Sequence, residues 1–271
     1  MIKLIACDLD GTLLDQDHEI TDDNRAVVEQ LRDQDFPFVI ATGRIYPSAL
    51  EYSRALGLST PIISCNGAVI KDPIKDEIIF DYPLGKETLY SMIDICHKYK
   101  IYFHFYGVDT IYAERYERLI KSYDEWKKKD PSKSLVKTCL VDDMSQIVEE
   151  VTLYKLGLYT DEPLAKEALA DMMTLAGLTS CYSLSTLVDV FCEKASKGQG
   201  LRDIAKLYGV DMSHTMAIGD NENDIPMIEA AGLGVAMAGA RDFVKAKADV
   251  VTGSNDDSGV AQIIRKHLKL D

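Results

Sequence analysis

The chain has no basic surplus. Its 30 lysines and arginines stand against 44 aspartates and glutamates, for a net charge of −14. That field repels nucleic acid and anionic membrane, and neither is expected as a partner. Cysteines are few, six, and none forms a C-x-x-C pair. Cys7, Cys65, Cys96, Cys139, Cys181 and Cys192 are scattered, several within apolar runs, which fits buried free thiols in a reducing compartment. No apolar run is long enough to span a membrane. The apolar start is short and Asp8 interrupts it, so no signal peptide is expected and the location reads as cytoplasmic. The histidines His18, His97, His104, His214 and His267 share no metal-ligand spacing; core packing or a surface place accounts for each. Repeats and low-complexity tracts are absent, and nothing signals an oligomeric state.

What is present reads as a soluble globular protein. The 271 residues are 46% hydrophobic and 27% charged, enough for one large domain or two moderate ones. Ile2 to Cys7 is an apolar run that predicts a buried parallel strand. It ends in Asp8-Leu9-Asp10-Gly11-Thr12. Side chains two apart on an extended chain face one way, so Asp8 and Asp10 can share a spot with Leu9 turned aside. Gly11 lets the chain turn off the strand. Two acids outside a strand's carboxyl end suit a divalent cation and a phosphate, although a lone D-x-D is ordinarily just an acidic turn.

The βα rhythm continues from there. Thr21 caps a helix that runs to about Asp33. Phe38–Ala41 is a strand ending at Thr42-Gly43-Arg44, and a helix follows Pro47. Pro61–Cys65 is a third strand, and Asn66-Gly67 turns it into a hairpin with Ala68–Ile70. Glu77–Phe80 looks like the partner strand. From about Leu84 to Asp189 the texture changes. Helices are expected at Tyr116–Lys129 and Asp161–Ala176, and strands at Ile101–Tyr106, Thr110–Ala113, Leu153–Tyr159 and Leu187–Cys192. Mixed strands and helices there read as an inserted α+β unit. The strip Tyr102–Tyr106 reads as that unit's core, and Lys127-Lys-Lys129 as a solvated helix end. The βαβ rhythm resumes at Lys197-Gly198. Strand Thr215–Ile218 then runs into Gly219-Asp220-Asn-Glu-Asn223-Asp224, and further alternation closes the chain. The division is 1–83 with 190–271 for a doubly wound α/β core, and 84–189 for the insert. Gly232-Leu-Gly234 with Gly239 has the wrong spacing for a dinucleotide site.

Four polar clusters thus stand at strand or helix ends: Asp8/Asp10, Thr42-Gly43, Lys197 and Asp220/Asn223/Asp224. Each alone has a plain account as a turn, a cap or a surface lysine. Their order is more specific than any part. D-x-D-G-T at Asp8–Thr12, A-T-G-R at Ala41–Arg44, S-x-N-G-A at Ser64–Ala68, K-G at Lys197 and G-D-x-x-N-D at Gly219–Asp224 resemble the haloacid-dehalogenase-like (HAD) hydrolase superfamily. Within it the chain is similar to the Cof-type phosphatases, closest to the YidA-like sugar phosphatases. The likeness spans the whole length, through V-T-G-S-N at Val251–Asn255. Ala238-Gly239 departs from the Gly-Asn that many relatives carry.

The resemblance implies a Rossmannoid HAD-like core under an inserted cap of the C2B type. It implies a Mg²⁺-dependent phosphatase of small phosphorylated metabolites, with sugar phosphates foremost. Asp8 would be the nucleophile and Asp10 the general acid and base. Asp8, the Asp10 carbonyl and Asp220 would hold the metal. Leu9, Thr42, Gly43, Lys197 and Asn223 would hold the phosphate, with Asp224 behind them orienting a metal-bound water or Lys197. Arg44 and Asn66 are candidates to touch substrate. Two rivals stand beside this reading: a sugar phosphomutase, and a silent binding protein on the same scaffold. A mutase must grip a second phosphate, and the cap segment offers only Arg115 and Arg118 for that.

Overall fold

The computed structural model describes residues 1–129 and 135–270. In chain order the first half runs β1 (Leu4–Cys7), α1 (Asp22–Asp33), β2 (Phe38–Ile40), α2 (Tyr46–Ala55), β3 (Ile62–Ser64), β4 (Val69–Lys71) and β5 (Ile78–Asp81). Next come α3 (Lys86–Tyr99), β6 (Phe103–Tyr106), β7 (Thr110–Ala113), α4 (Arg118–Lys129), β8 (Lys137–Leu140), β9 (Lys155–Tyr159), α5 (Ala165–Met172), β10 (Leu178–Tyr182) and β11 (Leu187–Cys192). The chain closes with α6 (Lys197–Leu207), β12 (Thr215–Gly219), α7 (Ile225–Ala230), β13 (Leu233–Ala236), α8 (Asp242–Lys245), β14 (Val250–Val251) and α9 (Gly259–Leu268).

Five strands form a parallel sheet in the order β14-β13-β12-β1-β2. β1 is buried on both faces, which its unbroken apolar run requires. Ile5 and Cys7 pack with residues of α1, α2 and α9 on one side; Leu4 and Ala6 pack with residues of α6 and α7 on the other. The chain leaves β1 toward β2 on one flank and later returns to β12 on the other. Side chains at the carboxyl ends of β1, β2 and β12 therefore converge where the winding reverses.

A second sheet of six strands, β10-β11-β9-β6-β7-β8, is antiparallel except at β7–β8. Alternation along β6 explains its two faces. Phe103 and Phe105 join Leu156, Leu158, Val188 and Val190 in an apolar core with residues of α3 and α5. Tyr102 and Tyr106 point the opposite way, and pack with Ile45, Cys65, Ala68 and Val69 beside the parallel sheet. The aromatic strip is thus core on both faces, and one of those cores joins the two sheets.

The third expected strand is short. β3 meets the parallel sheet only through the Ala41–Ile63 bridge, then forms an antiparallel three-stranded sheet with β4 and β5. The hairpin forms, but not through a two-residue turn. Cys65, Asn66 and Gly67 all take positive φ in a 3₁₀ turn. A side chain at Gly67 would run into the Ser196 backbone, so the turn is bent around the start of α6. Helix α5 is shorter than Asp161–Ala176, because Glu162 bonds instead to the Tyr102 amide at 2.8 Å and Leu164 turns left-handed. Helix α4 begins at Arg118 rather than Tyr116, within the ordinary spread of helix ends. Strands β8 and β10 carry no expectation from sequence. Lys127 and Lys128 are exposed; the Lys129 side chain lies outside the described residues. All six cysteines are free thiols, four of them buried.

Candidate active site

The turn after β1 folds back on its own strand. The Thr12 amide donates to the Leu9 carbonyl at 3.2 Å and the Leu13 amide to the Asp8 carbonyl at 3.2 Å. Gly11 permits this with φ of +75°, and it has a second reason to be glycine: a Cβ there would lie 2.5 Å from Asp220 Oδ2. Thr12 Oγ1 donates to Asp220 Oδ1 at 3.0 Å, tying β1's turn to β12's end. Leu9's side chain is fully buried in the core, which leaves only its backbone for a phosphate.

Lys197 opens α6, where a cation opposes the helix dipole. Its neighbours outweigh that opposition. The residue is 1% exposed, and its ammonium donates to Asp8 Oδ1 and Asp224 Oδ1, both at 2.6 Å. Burial disfavours its charge, but Asp224 and Asp8 overcome this and hold it firmly protonated. Asp224 uses both oxygens: the second accepts the amides of Asp220 and Asn221 at 2.9 and 3.0 Å. Carboxylate oxygens of Asp8, Asp220 and Asp224 lie within 4.8 Å of one another.

Three acids against one lysine leave a surplus of negative charge. Burial and the surrounding carboxylates raise Asp8 well above the usual range despite Lys197. Asp220 is raised to about 7, by burial first and then by Asp224. A dication would relieve this crowding and return both acids to their ionised forms. The donor set is wholly oxygen, which suits Mg²⁺ or Ca²⁺ over softer metals. Both Asp224 oxygens already accept hydrogen bonds, whereas Asp8 and Asp220 each accept on Oδ1 alone among the described residues, so Asp8 and Asp220 fit such an ion best.

Asp10 has a different environment. Arg44 grips it with a fork, Nε to Oδ2 at 2.7 Å and Nη2 to Oδ1 at 2.5 Å, and His18 Nδ1 lies 3.3 Å away. Burial pushes its pKa up, but the Arg44 hydrogen bonds and charge prevail and lower it below the ordinary value. Arg44 therefore contacts Asp10, Ser48 and Tyr52, while lining the cavity.

Thr42 is buried, and its Oγ1 accepts the Arg44 amide at 3.1 Å. Gly43 is bare because a Cβ would lie 2.8 Å from Asn66 Oδ1. Asn223 Nδ2 donates to Asn66 Oδ1 at 3.0 Å, and Asn223 Oδ1 is buried without a partner among the described residues. Asn66 itself does not reach the cavity. It is 1% exposed, with Nδ2 committed to Asp189 at 2.9 Å and its oxygen to Asn223. The left-handed turn aims it at the second sheet instead.

A cavity of about 300 Å³ opens over Asp8, Asp10, Thr42 and Gly43. Its far wall is built by the six-stranded sheet (Tyr106 and Lys155), the β10–β11 loop (Leu184) and helix α4 (Leu119, Tyr123 and Trp126). None of these was singled out for the site by sequence. Lys155 carried a signal, since it is a charge inside an otherwise apolar strand, and so did Asp189 in β11.

A sequence profile of haloacid dehalogenase-like hydrolases matches residues 5–264. Phosphatase YwpJ of Bacillus subtilis is 31% identical over 98% of this chain and 100% of its own. Pyridoxal phosphate phosphatase YbhA of Escherichia coli is 30% identical over 98% of each. A solved haloacid dehalogenase-like hydrolase from B. subtilis superposes with a TM-score of 0.85 at 30% identity, over 98% of this chain and 100% of that one. These relatives do not single out the YidA-like sugar phosphatases. The chain belongs to the haloacid dehalogenase-like hydrolases, among their Cof-type phosphatases.

Proposed function

We propose that the chain is a Mg²⁺-dependent phosphatase of small phosphomonoesters, working through an aspartyl-phosphate on Asp8. The observation that carries this reading is the gathering of Asp8, Asp220 and Asp224 around Lys197, with Asp10 set apart on Arg44. Asp8 and Asp220, with the Asp10 carbonyl, would hold Mg²⁺, which when bound neutralises charge on the phosphate and on the attacking acid. The Asp8 oxygen not engaged by Lys197 attacks phosphorus, and the bond to the leaving oxygen breaks. Asp10 gives that oxygen a proton, then takes one from the water that cleaves the aspartyl-phosphate and restores Asp8. Lys197, Thr42 Oγ1, the Leu9 and Gly43 amides and Asn223 steady the phosphate oxygens. Asp224 acts through Lys197, which it orients.

The Arg44 fork keeps Asp10 in its proton-accepting form. To donate first, Asp10 must be released, and a substrate phosphate is a rival acceptor for the guanidinium. Segment 84–189 acts as a cap that excludes water and chooses the leaving group. A phosphoprotein would not fit beneath it. Arg115 and Arg118 are engaged with Glu162 and Asp161 and lie over the Tyr102 and Tyr159 rings, outside the cavity, which supports hydrolysis over a mutase. The free thiols support a cytoplasmic location.

The leaving group meets the far wall of the cavity, where an aromatic ring or the apolar face of a sugar can pack. A wall of Tyr106, Tyr123, Trp126, Leu119 and Leu184 favours a leaving group with a flat or apolar face. Phosphate release from sugar phosphates and from pyridoxal 5′-phosphate, each with Mg²⁺ and with chelator, tests both points. Release that chelator abolishes, with the higher kcat/KM on the ring-bearing ester, is expected. No release from any ester in Mg²⁺ overturns the reading. A higher kcat/KM on sugar phosphates points to the sugar.

A further inference from the structure

Lys155 and Asp189 are the charges that the six-stranded sheet turns toward the catalytic sheet. Lys155 is 2% exposed and Asp189 is fully buried. Lys155 Nζ donates to Asp189 Oδ2 at 2.8 Å and to the carbonyl of Gly43 at 2.8 Å, and it stands 4.1 Å from the Tyr106 ring centroid. An ammonium has three donors, and here they face a carboxylate, a carbonyl and a ring. None is left for a ligand, although Lys155 lines the cavity.

We propose that Lys155 is a positioning residue that couples the seating of segment 84–189 to the conformation of the Thr42–Arg44 loop. The Gly43 carbonyl and the Arg44 amide belong to one planar peptide unit. That amide donates to Thr42 Oγ1, and the Arg44 side chain forks onto Asp10. Holding the carbonyl therefore orients the Thr42 hydroxyl and sets the root of Arg44. The same carboxylate that steadies Lys155 takes Asn66 Nδ2 at 2.9 Å, and Asn66 in turn takes Asn223 Nδ2. The loop after β2 and the β3–β4 turn thus share one anchor on the six-stranded sheet. A buried ion pair is a weak stabiliser compared with apolar packing of the same shape. Its use here lies in where it holds Gly43. When the segment lifts, the anchor leaves with it, and the loop relaxes until the segment returns.

This rests on the phosphatase reading, so the test carries one arm that does not. The double variant Lys155→Met/Asp189→Asn removes both charges and strands neither. In steady-state hydrolysis its kcat is expected to fall about 10²-fold, the scale of a misplaced catalytic group, with KM nearly unchanged. A merely structural role would lower thermal stability and leave the kcat of folded protein intact. Hydrogen exchange over residues 42–46 and 64–68 is the second arm, and is expected to quicken in the variant. A wild-type kcat overturns the proposal. If wild-type protein hydrolyses no ester, the phosphatase reading fails and exchange alone decides; unchanged exchange then overturns the coupling. Should the double variant not fold, Lys155→Arg keeps a cation beside Asp189 with a different donor geometry. A wild-type kcat in that variant overturns the proposal equally.

Discussion

Asp8 and Asp10 are two residues apart and have opposite surroundings. Asp8 shares a buried lysine with another acid; Asp10, 42% exposed at its side chain, is clamped by an arginine. Asp8→Asn keeps an oxygen for Lys197 but loses the nucleophile. Phosphate release is expected to vanish while the circular dichroism spectrum is retained; near-normal turnover would remove Asp8 from its role. Asp10→Ala is expected to lose at least ~10²-fold in kcat, the low end for general acid–base catalysis. A rate within a few-fold of wild type would count against the assignment. These acids were legible in the sequence because period two and a following glycine put them on one side of a strand end. Lys155 and Asp189 were visible as lone charges in Tyr-Lys-Leu and Val-Asp-Val. Their meeting was not legible, since it depends on the β9–β11 register, in which Asp189 sits opposite Gly157 and Lys155 opposite Phe191.

Strands with an apolar run announced themselves, even at a sheet edge as β2 does, and the polar edge strands of the six-stranded sheet did not. β1 and β12 are unbroken apolar runs. β8 and β10 are the two edges of the six-stranded sheet, mostly half-exposed and carrying Lys, Thr and Ser, so neither shows an apolar run. Within the same sheet, β6 holds His104 fully buried, its Nε2 3.0 Å from the Tyr106 hydroxyl and its Nδ1 without a partner among the described residues. Burial, and then the charge of Lys155, lowers its pKa to about 3 from an ordinary 6.5. The folded state therefore keeps the ring neutral while the unfolded chain binds a proton below pH 6.5. Stability is full above that pH and falls as pH drops toward 3, by about 1.4 kcal/mol per unit of separation traversed. Asp8 and Asp220, with raised pKa values, gain stability over the same range in both proteins, so the expected signal is a difference: between pH 7.5 and 5 the melting temperature of the wild type falls relative to that of His104→Gln. Parallel profiles for the two proteins would refute the assignment.

The molecule joins its acidic cluster from segments far apart in the chain, and the joint is under electrostatic load. A dication at Asp8 and Asp220 is expected to raise the melting temperature, by a free energy of about 2.7 kcal/mol at a hundred times its Kd. Asp220→Asn is expected to lose most of that Mg²⁺ effect in a thermal shift titration; an equal shift in both would exclude Asp220 from the metal. The same joint has a consequence for synthesis. β1 lies between β2 and β12, and Leu4 finds its partner only in Thr215. Until the ribosome has delivered the last part of the chain, one edge of the most apolar strand stays unpaired and the acids have no cluster to join. A chain truncated before Thr215 is expected to be recovered as insoluble material in expression trials, whereas a soluble product would show that β1 can wait alone. The nascent protein thus carries a bare apolar edge before it is a hydrolase, and it acquires its chemistry all at once.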